Sequence, residues 1–566
     1  MIKLNSHTRT RAQESTGAIE KLYITMRHLL NRGFYKPMGV SGESLLDSLL
    51  TLRPEIYGSI TEDKIELQGL LYIMDRLPYG IEECRYINLT SDEGYKDSHF
   101  GPIIPLKRRR NCYRIDSEQM NIEITRGRSE IYDILTHLTF LFIESHKIMK
   151  QVLINENGEV IRDWKKLEQV VLKDGELTQE EKEVALTHTA NFLGRTFEEI
   201  KNAFPYFAHE KNENRFFSII YYMGKLAMAE VVSDDKRIIT FSPVLRERLG
   251  HHIHGEQWAH RIKQTLQENG LLQRPLHIVS ANMHSVMNSL FAEKALPLEF
   301  AKKKSLQVFE TLSSPASMGL RTKVMKTATS QGMIFLEDTS GTNIDIQIFD
   351  TAKIKNNTYT ETLKNVEEIQ RPVIIVMDYA FGEQAYETMD ELLKPFTDSK
   401  NKQIFLNVSS VSIMGKAGIL EGEKGDIMIP SAHVFEGTAD NYPFENELDK
   451  SHFSEDDVKV FAGTMISVLG TSLQNRDVLK FFHNSTWNVI GLEMEGAHYQ
   501  KAIQAASKIR RSISADVKVR YAYYASDNPL ETGSTLASGG LGTTGVKPTY
   551  LITDKMLKQI LDTPKK

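Results

Sequence analysis

Two carboxylates one residue apart, Glu493 and Glu495, close the apolar run of VIGLEMEGAHYQKAI and precede a helical pattern. A carboxylate such as Glu495 can accept two hydrogen bonds from adjacent hydroxyls, which is how a ribose 2′,3′-diol is held. Met494 offers a soft apolar contact to a sugar face, and Gly496 leaves room for a ligand. The competing reading is that both acids cap the following helix, since acids favour helix N-termini. In YYASDNPLETGSTLASGG, Ser526 and Asp527 follow another apolar run. Burial there would raise the Asp527 pKa and suit it to general-acid work; the alternative is an Asx-turn at Asp-Asn-Pro. In IMGKAGILEGEKGDIMI, Gly415 and Gly418 flank Lys416. This permits close backbone approach to a ligand and a lysine on a phosphate, or only a tight turn beside a surface lysine. In SANMHSV, Asn282, His284 and Ser285 stand where a helix N-terminus could present amides to an anion. A structural role for a lone histidine is the alternative for His284.

These stretches need strands to carry them. LHIVSA, GMIFLED, IDIQIFD, PVIIVMD, QIFLNVSSVSI, GDIMIPSAHVF, GTMISVLGTS, WNVIGLEME and VRYAYYASD are short β-rich runs separated by helical segments. Several are continuously apolar, as strands covered on both faces should be. The alternation predicts an α/β domain over 271–566, a mixed central sheet flanked by helices, with a ligand crevice at strand C-terminal ends. Residues 1–270 read as a mainly α-helical domain of unknown role. IYDILTHLTFLFIESHKIMKQVL and RFFSIIYYMGKLAMAEVV repeat apolar residues at helical spacing. Between about 80 and 125 the period fails and loops with short strands are expected.

The chain has 566 residues, enough for roughly two to four domains. A net charge of -5 gives no global field to draw in nucleic acid, and none is expected as a partner. The run Lys107-Arg108-Arg109-Arg110 reads as a solvated loop, or else a local anion site. Two cysteines, Cys84 and Cys112, support neither a disulfide framework nor a thiolate zinc site, and their scarcity suits a reducing cytoplasm. The first residues lack the apolar core of a signal peptide, and no uncharged apolar run approaches the ~18 residues of a membrane span. His251, His252, His254 and His260 lack the spacing of a metal-binding helix with its base. No metal and no cofactor are expected.

Taken in order, GKAGIL, KGDIMIPSAHVF, AGTMISVLGTS, GLEMEGAH and ASDNPL resemble the nucleoside phosphorylase and nucleosidase superfamily over 271–566. SDNPL with its Gly/Ser-rich continuation resembles AMP nucleosidase in particular. The resemblance implies that Glu495 binds the ribose hydroxyls, that Met494 lines the sugar, and that Asp527, beside Ser526, protonates purine N7. It implies a homo-oligomer and a small nucleoside or nucleotide as ligand. Where phosphorylases carry an arginine before the glycine-rich turn, this chain has Ser412 and Ile413; its first strand leads into SANMHSV without an arginine. Both departures weigh against tight phosphate binding and favour water as the nucleophile. Tyr523 stands where an arginine often precedes the catalytic aspartate, and Asp378, Tyr379 and Glu383 are unusual in VMDYAFGEQA. The expected activity is therefore purine nucleoside or nucleotide N-glycosidase. A phosphate-dependent phosphorylase and an inactive nucleotide sensor or scaffold are the alternatives.

Overall fold

The computed structural model describes residues 10–108, 110–173, 175–355, 357–438, 440–454, 456–531 and 542–562. It is a mixed α/β protein that divides into two compact units. The first comprises 1–125, 130–251 and 472–478; the second comprises 126–129, 252–471 and 479–566. The composition changes near 271, whereas the division in the structure falls at His251–His252, so the helix Ile253–Glu268 groups with the second unit.

The first unit surrounds a small sheet with helices. Its strands are β1 (Phe34–Tyr35), β2 (Tyr86–Thr90), β3 (Cys112–Arg114), β4 (Gln119–Glu123) and β5 (Ile238–Phe241), in the order β1-β5-β2-β4-β3. The basic run corrects the expectation of a solvated loop. Arg110 is buried between Glu130 and Asp133, and Arg108 pairs with Asp133. A buried guanidinium requires such carboxylates, and the helix Gly127–Val152 supplies them. Arg109 lies outside the described residues.

In the second unit every β-rich run of the sequence contributes a strand. They are β6 (Leu276–Ser280), β7 (Met333–Leu336), β8 (Ile346–Asp350), β9 (Val373–Met377), β10 (Phe396–Thr397), β11 (Gln403–Ile404), β12 (Val408–Ile419), β13 (Ile427–Phe435), β14 (Asn441–Pro443), β15 (Val460–Ser467), β16 (Val489–Glu493) and β17 (Lys518–Asp527). β12 runs parallel to β6, β6 to β9, and β8 and β7 continue antiparallel to the edge. On the other side β12, β17, β13, β15 and β16 pair in a closed circuit of five strands. β12 is the shared seam. Its 12 residues reach past the end of β6, whose Ser280 pairs with Ile413. The stretch Met414–Ala417 therefore continues beyond β6, and β16 takes up the pairing at Gly418. Apolar cores fill both faces of the sheet, around Ile278, Ile375 and Val411 on one side and Val279, Ile374 and Met414 on the other. That explains why the central strands read as unbroken apolar runs.

Among the described residues no helix is long and apolar enough to cross a membrane, and no group of three His, Cys, Asp or Glu could hold a metal. Two histidines of the His-rich stretch, His254 and His260, turn to separate partners within the second unit. His254 bonds the Ser340 carbonyl at 2.6 Å, and His260 lies beside the Phe396 ring.

Candidate active site

The ends of two strands flank Gly418 of β12. On one side β16 arrives antiparallel, with Leu492 opposite Gly418; on the other β17 runs parallel, with Asp527 opposite the same glycine. The ends carrying the two sequence-predicted acids are thus two strand spacings apart, about 10 Å. Gly415 has the Tyr523 and Tyr379 rings as its nearest neighbours.

The two glutamates have different work. Glu493 is buried and faces backwards. One oxygen accepts from the Ser467 hydroxyl, and the other from the backbone N–H groups of Glu495 and Gly496, at the start of the helix Gly496–Gln504. The Ser467 oxygen in turn accepts the Ala497 N–H at 2.8 Å. The helix-capping reading therefore holds for Glu493, which is occupied by its own backbone and lies behind the site. Burial pushes its pKa up to about 7 against these hydrogen bonds. Glu495 occupies the N-cap position but makes no side-chain cap. One of its oxygens accepts the Gly382 N–H at 2.9 Å. Burial and the neighbouring Glu493 push it up to about 8, with Lys416 opposing.

Asp527 ends β17 and is 3% exposed. One oxygen lies 2.6 Å from the Ser526 hydroxyl, which also lies 3.1 Å from the Ala417 carbonyl. The other oxygen is buried with no hydrogen-bond partner among the described residues. An orphaned buried carboxylate oxygen is costly unless protonated or met by a ligand. Burial raises the Asp527 pKa, while Ser526, Lys416 and Lys424 oppose. The Lys416 charge thus bears on both Glu495 and Asp527. Lys416 itself is exposed, on the strand segment between them. The Gly/Ser-rich continuation after Leu530 lies mostly outside the described residues.

The connection after β6 is arranged differently from an open anion site. The Asn282 side-chain oxygen accepts the His284 and Ser285 N–H groups at 3.0 and 2.8 Å, so the start of the helix Ser285–Ala295 is capped by its own chain. Asn282 also reaches Tyr379, and His284 lies within the electrostatic range of Asp378 and Arg321. Partial desolvation raises the Asp378 carboxyl, with Asp345 adding to the rise and His284 and Arg126 opposing it.

Several members of the site were not singled out by sequence. Gly382 holds Glu495, Ser467 holds Glu493, and Tyr499 bonds Ser280 at 3.0 Å while lying close enough to Glu495 to sense its charge. Buried His433 bonds the Tyr523 hydroxyl at 3.2 Å and packs against Gly496 so closely that a Cβ there would meet it at 2.3 Å. A separate cavity of about 740 Å³ opens among the helices Ser285–Ala295, Ser305–Ser313 and Val546–Leu561. None of the candidate residues lines it.

One family model matches residues 43–303 and 309–562. The chain belongs to the family of unknown function DUF6909. No curated protein matches it. Among solved structures, the DUF6909 chain is similar to a Campylobacter jejuni 5′-methylthioadenosine/S-adenosyl homocysteine nucleosidase, with 12% identity and a TM-score of 0.30. That match covers 50% of this chain and 97% of the other. It is also similar to a futalosine hydrolase mutant of Helicobacter pylori, at 12% identity and a TM-score of 0.28 over 51% of this chain and 98% of the other. A third is a putative methylthioadenosine nucleosidase from Weissella paramesenteroides, at 11% identity and a TM-score of 0.29, covering 50% of this chain and 98% of that one.

Proposed function

We propose that the DUF6909 chain cleaves the N-glycosidic bond of a purine nucleoside or nucleotide, with water as acceptor, in the manner of an AMP nucleosidase. The observation that supports this is that Asp527 and Glu495 both lie within reach of the Lys416 charge on β12, each with one carboxylate oxygen held by the protein. The motif order GKAGIL, GLEMEG, ASDNPL supports it independently.

In this reading the purine stacks beside β17 and Asp527 donates its proton to N7. Burial keeps that carboxyl protonated further up the pH scale than a surface aspartate. As the C1′–N9 bond breaks, electrons move into the base, positive charge spreads over the ribose, and the N7 proton neutralises the leaving group. Glu495 accepts from the 2′- and 3′-hydroxyls, and its negative charge favours the oxocarbenium-like state. Acid assistance is worth about 10²–10⁴-fold. Water adds at C1′, the proton it sheds restores the acid form of Asp527, and the free sugar or sugar phosphate leaves.

One observation favours a second reading. The Arg126 charge bears on Asp378, so the site has a cation that the 271–566 sequence lacks. A phosphate acceptor, or a phosphate on the ligand, would suit it. Incubation with AMP, adenosine, inosine and methylthioadenosine, with and without inorganic phosphate, separates the readings by chromatography of the free base. Base release without phosphate is expected. Release that requires phosphate makes the protein a phosphorylase; tight binding without release, indifferent to Asp527→Asn, makes it a sensor.

A further inference from the structure

Four residues from the first half of the sequence, Arg126–Ser129, group with the second unit. They lie at the start of the helix Gly127–Val152 and pack on the turn Phe381–Glu383 after β9. The Ser129 hydroxyl oxygen accepts the Glu383 N–H at 2.8 Å, from a residue 254 positions further along. Arg128 pairs with the Glu383 carboxylate at 3.0 Å. Gly127 brings its backbone close to Glu387, where a Cβ would come within 3.2 Å of a carboxylate oxygen. Ser129 is the third residue of its helix. Its hydroxyl oxygen serves another element, the turn after β9.

That turn is the one that holds Glu495. Gly382 gives its N–H to Glu495 and adopts φ +55°, a left-handed conformation that favours glycine. A Cβ on Gly382 would stand 2.4 Å from the Ser129 oxygen. Ser129 is 5% exposed, so neither partner has room to shift. The contacts form a short chain: Ser129 fixes the Gly382–Glu383 peptide region, and Gly382 fixes one oxygen of Glu495.

We propose that Ser129, assisted by Arg128, is a positioning residue for Glu495, so that the site is completed by chain from outside 271–566. The proposal rests on Glu495 being the sugar-binding carboxylate. It is tested on the full chain with Ser129→Ala, and with Arg128→Gln as a half-buried second variant, each made alone and in a Glu495→Gln background. Adenosine affinity is measured by calorimetry and base release by chromatography. With Glu495 intact, Ser129→Ala is expected to weaken adenosine binding and kcat/KM about tenfold, and Arg128→Gln less. In the Glu495→Gln background the same changes have less than about a twofold effect, because residues that act through one another are not additive. Equal losses in both backgrounds, or none in either, overturn the proposal. A wild-type chain that binds adenosine but releases no base overturns the glycosidase reading, while the affinity arm still decides the role of Ser129. A chain that binds no adenosine overturns both.

Discussion

Glu387→Gln should stabilise the protein at pH 8 and leave it nearly unchanged at pH 5. Glu387 is buried on the helix Gln384–Leu392, immediately after the turn that holds Glu495. One of its oxygens has no hydrogen-bond partner among the described residues. Burial first, and then Glu383, push its pKa from 4.5 to about 8, with Arg128 opposing. The sign follows from linkage. The folded state keeps a proton that the unfolded state gives up above 4.5, so stability falls as pH rises from about 4.5 to about 8. Each unit of that window is worth about 1.4 kcal/mol, and the whole window about 4 kcal/mol for this one carboxyl. Glutamine has the shape of the protonated acid and no charge to lose. Urea unfolding of both proteins at pH 5 and pH 8 measures the difference. A gain at pH 8 of about 1–4 kcal/mol, absent at pH 5, is expected. An equal ΔΔG at the two pH values would refute the reasoning, since it would mean that the folded protein tolerates the ionised carboxylate.

Asp527→Asn should lower base release by about a hundredfold or more, while adenosine still binds, because an amide keeps the shape and loses the proton. The proposed roles need Glu495 ionised and Asp527 protonated, so kcat/KM should rise with pH along a limb near 8 set by Glu495. In Glu495→Gln that limb should disappear from whatever activity is left; an unmoved limb would remove Glu495 from this role. Gly496→Ala should destabilise the second unit by about 1–3 kcal/mol in thermal unfolding, because the new methyl meets the buried His433 ring. Wild-type stability in that variant would mean that the ring is free to move.

The strands of the second unit are legible because burial on both faces writes them as apolar runs, and Asp527 and Glu495 are legible because each follows such a run. Which glutamate caps the helix is not. Glu493 and Glu495 share a residue type and a neighbourhood, and only the backbone path decides that the N–H groups of Glu495 and Gly496 turn toward the first and away from the second. The β1–β5 sheet is equally hidden, since strands of two to five residues are too short to show a period. The basic run misleads for a related reason. Charge in a sequence suggests solvent, and the carboxylates that allow Arg110 to be buried come from a helix some twenty residues on. Ser129 and Gly382 leave no local signal, because their importance is in a contact spanning more than 250 positions.

The crowding of acids around the candidate site has a chemical consequence. Glu383, Glu387, Glu493, Glu495 and Asp527 share the region with Lys416 and Arg128 as nearby cations, and burial keeps several of the carboxyls protonated when no ligand is present. Ionising Glu495 in the empty site is opposed by Glu493. A cationic ribose would reverse that balance, because positive charge placed against Glu495 favours its ionised form. On the proposed reading, Asp527 passes its proton to the purine as the glycosidic bond stretches, while the positive charge growing on the ribose strengthens the hold of ionised Glu495. The site then binds the transition state more tightly than the ground state without any residue moving, which is what acceleration of the chemical step requires.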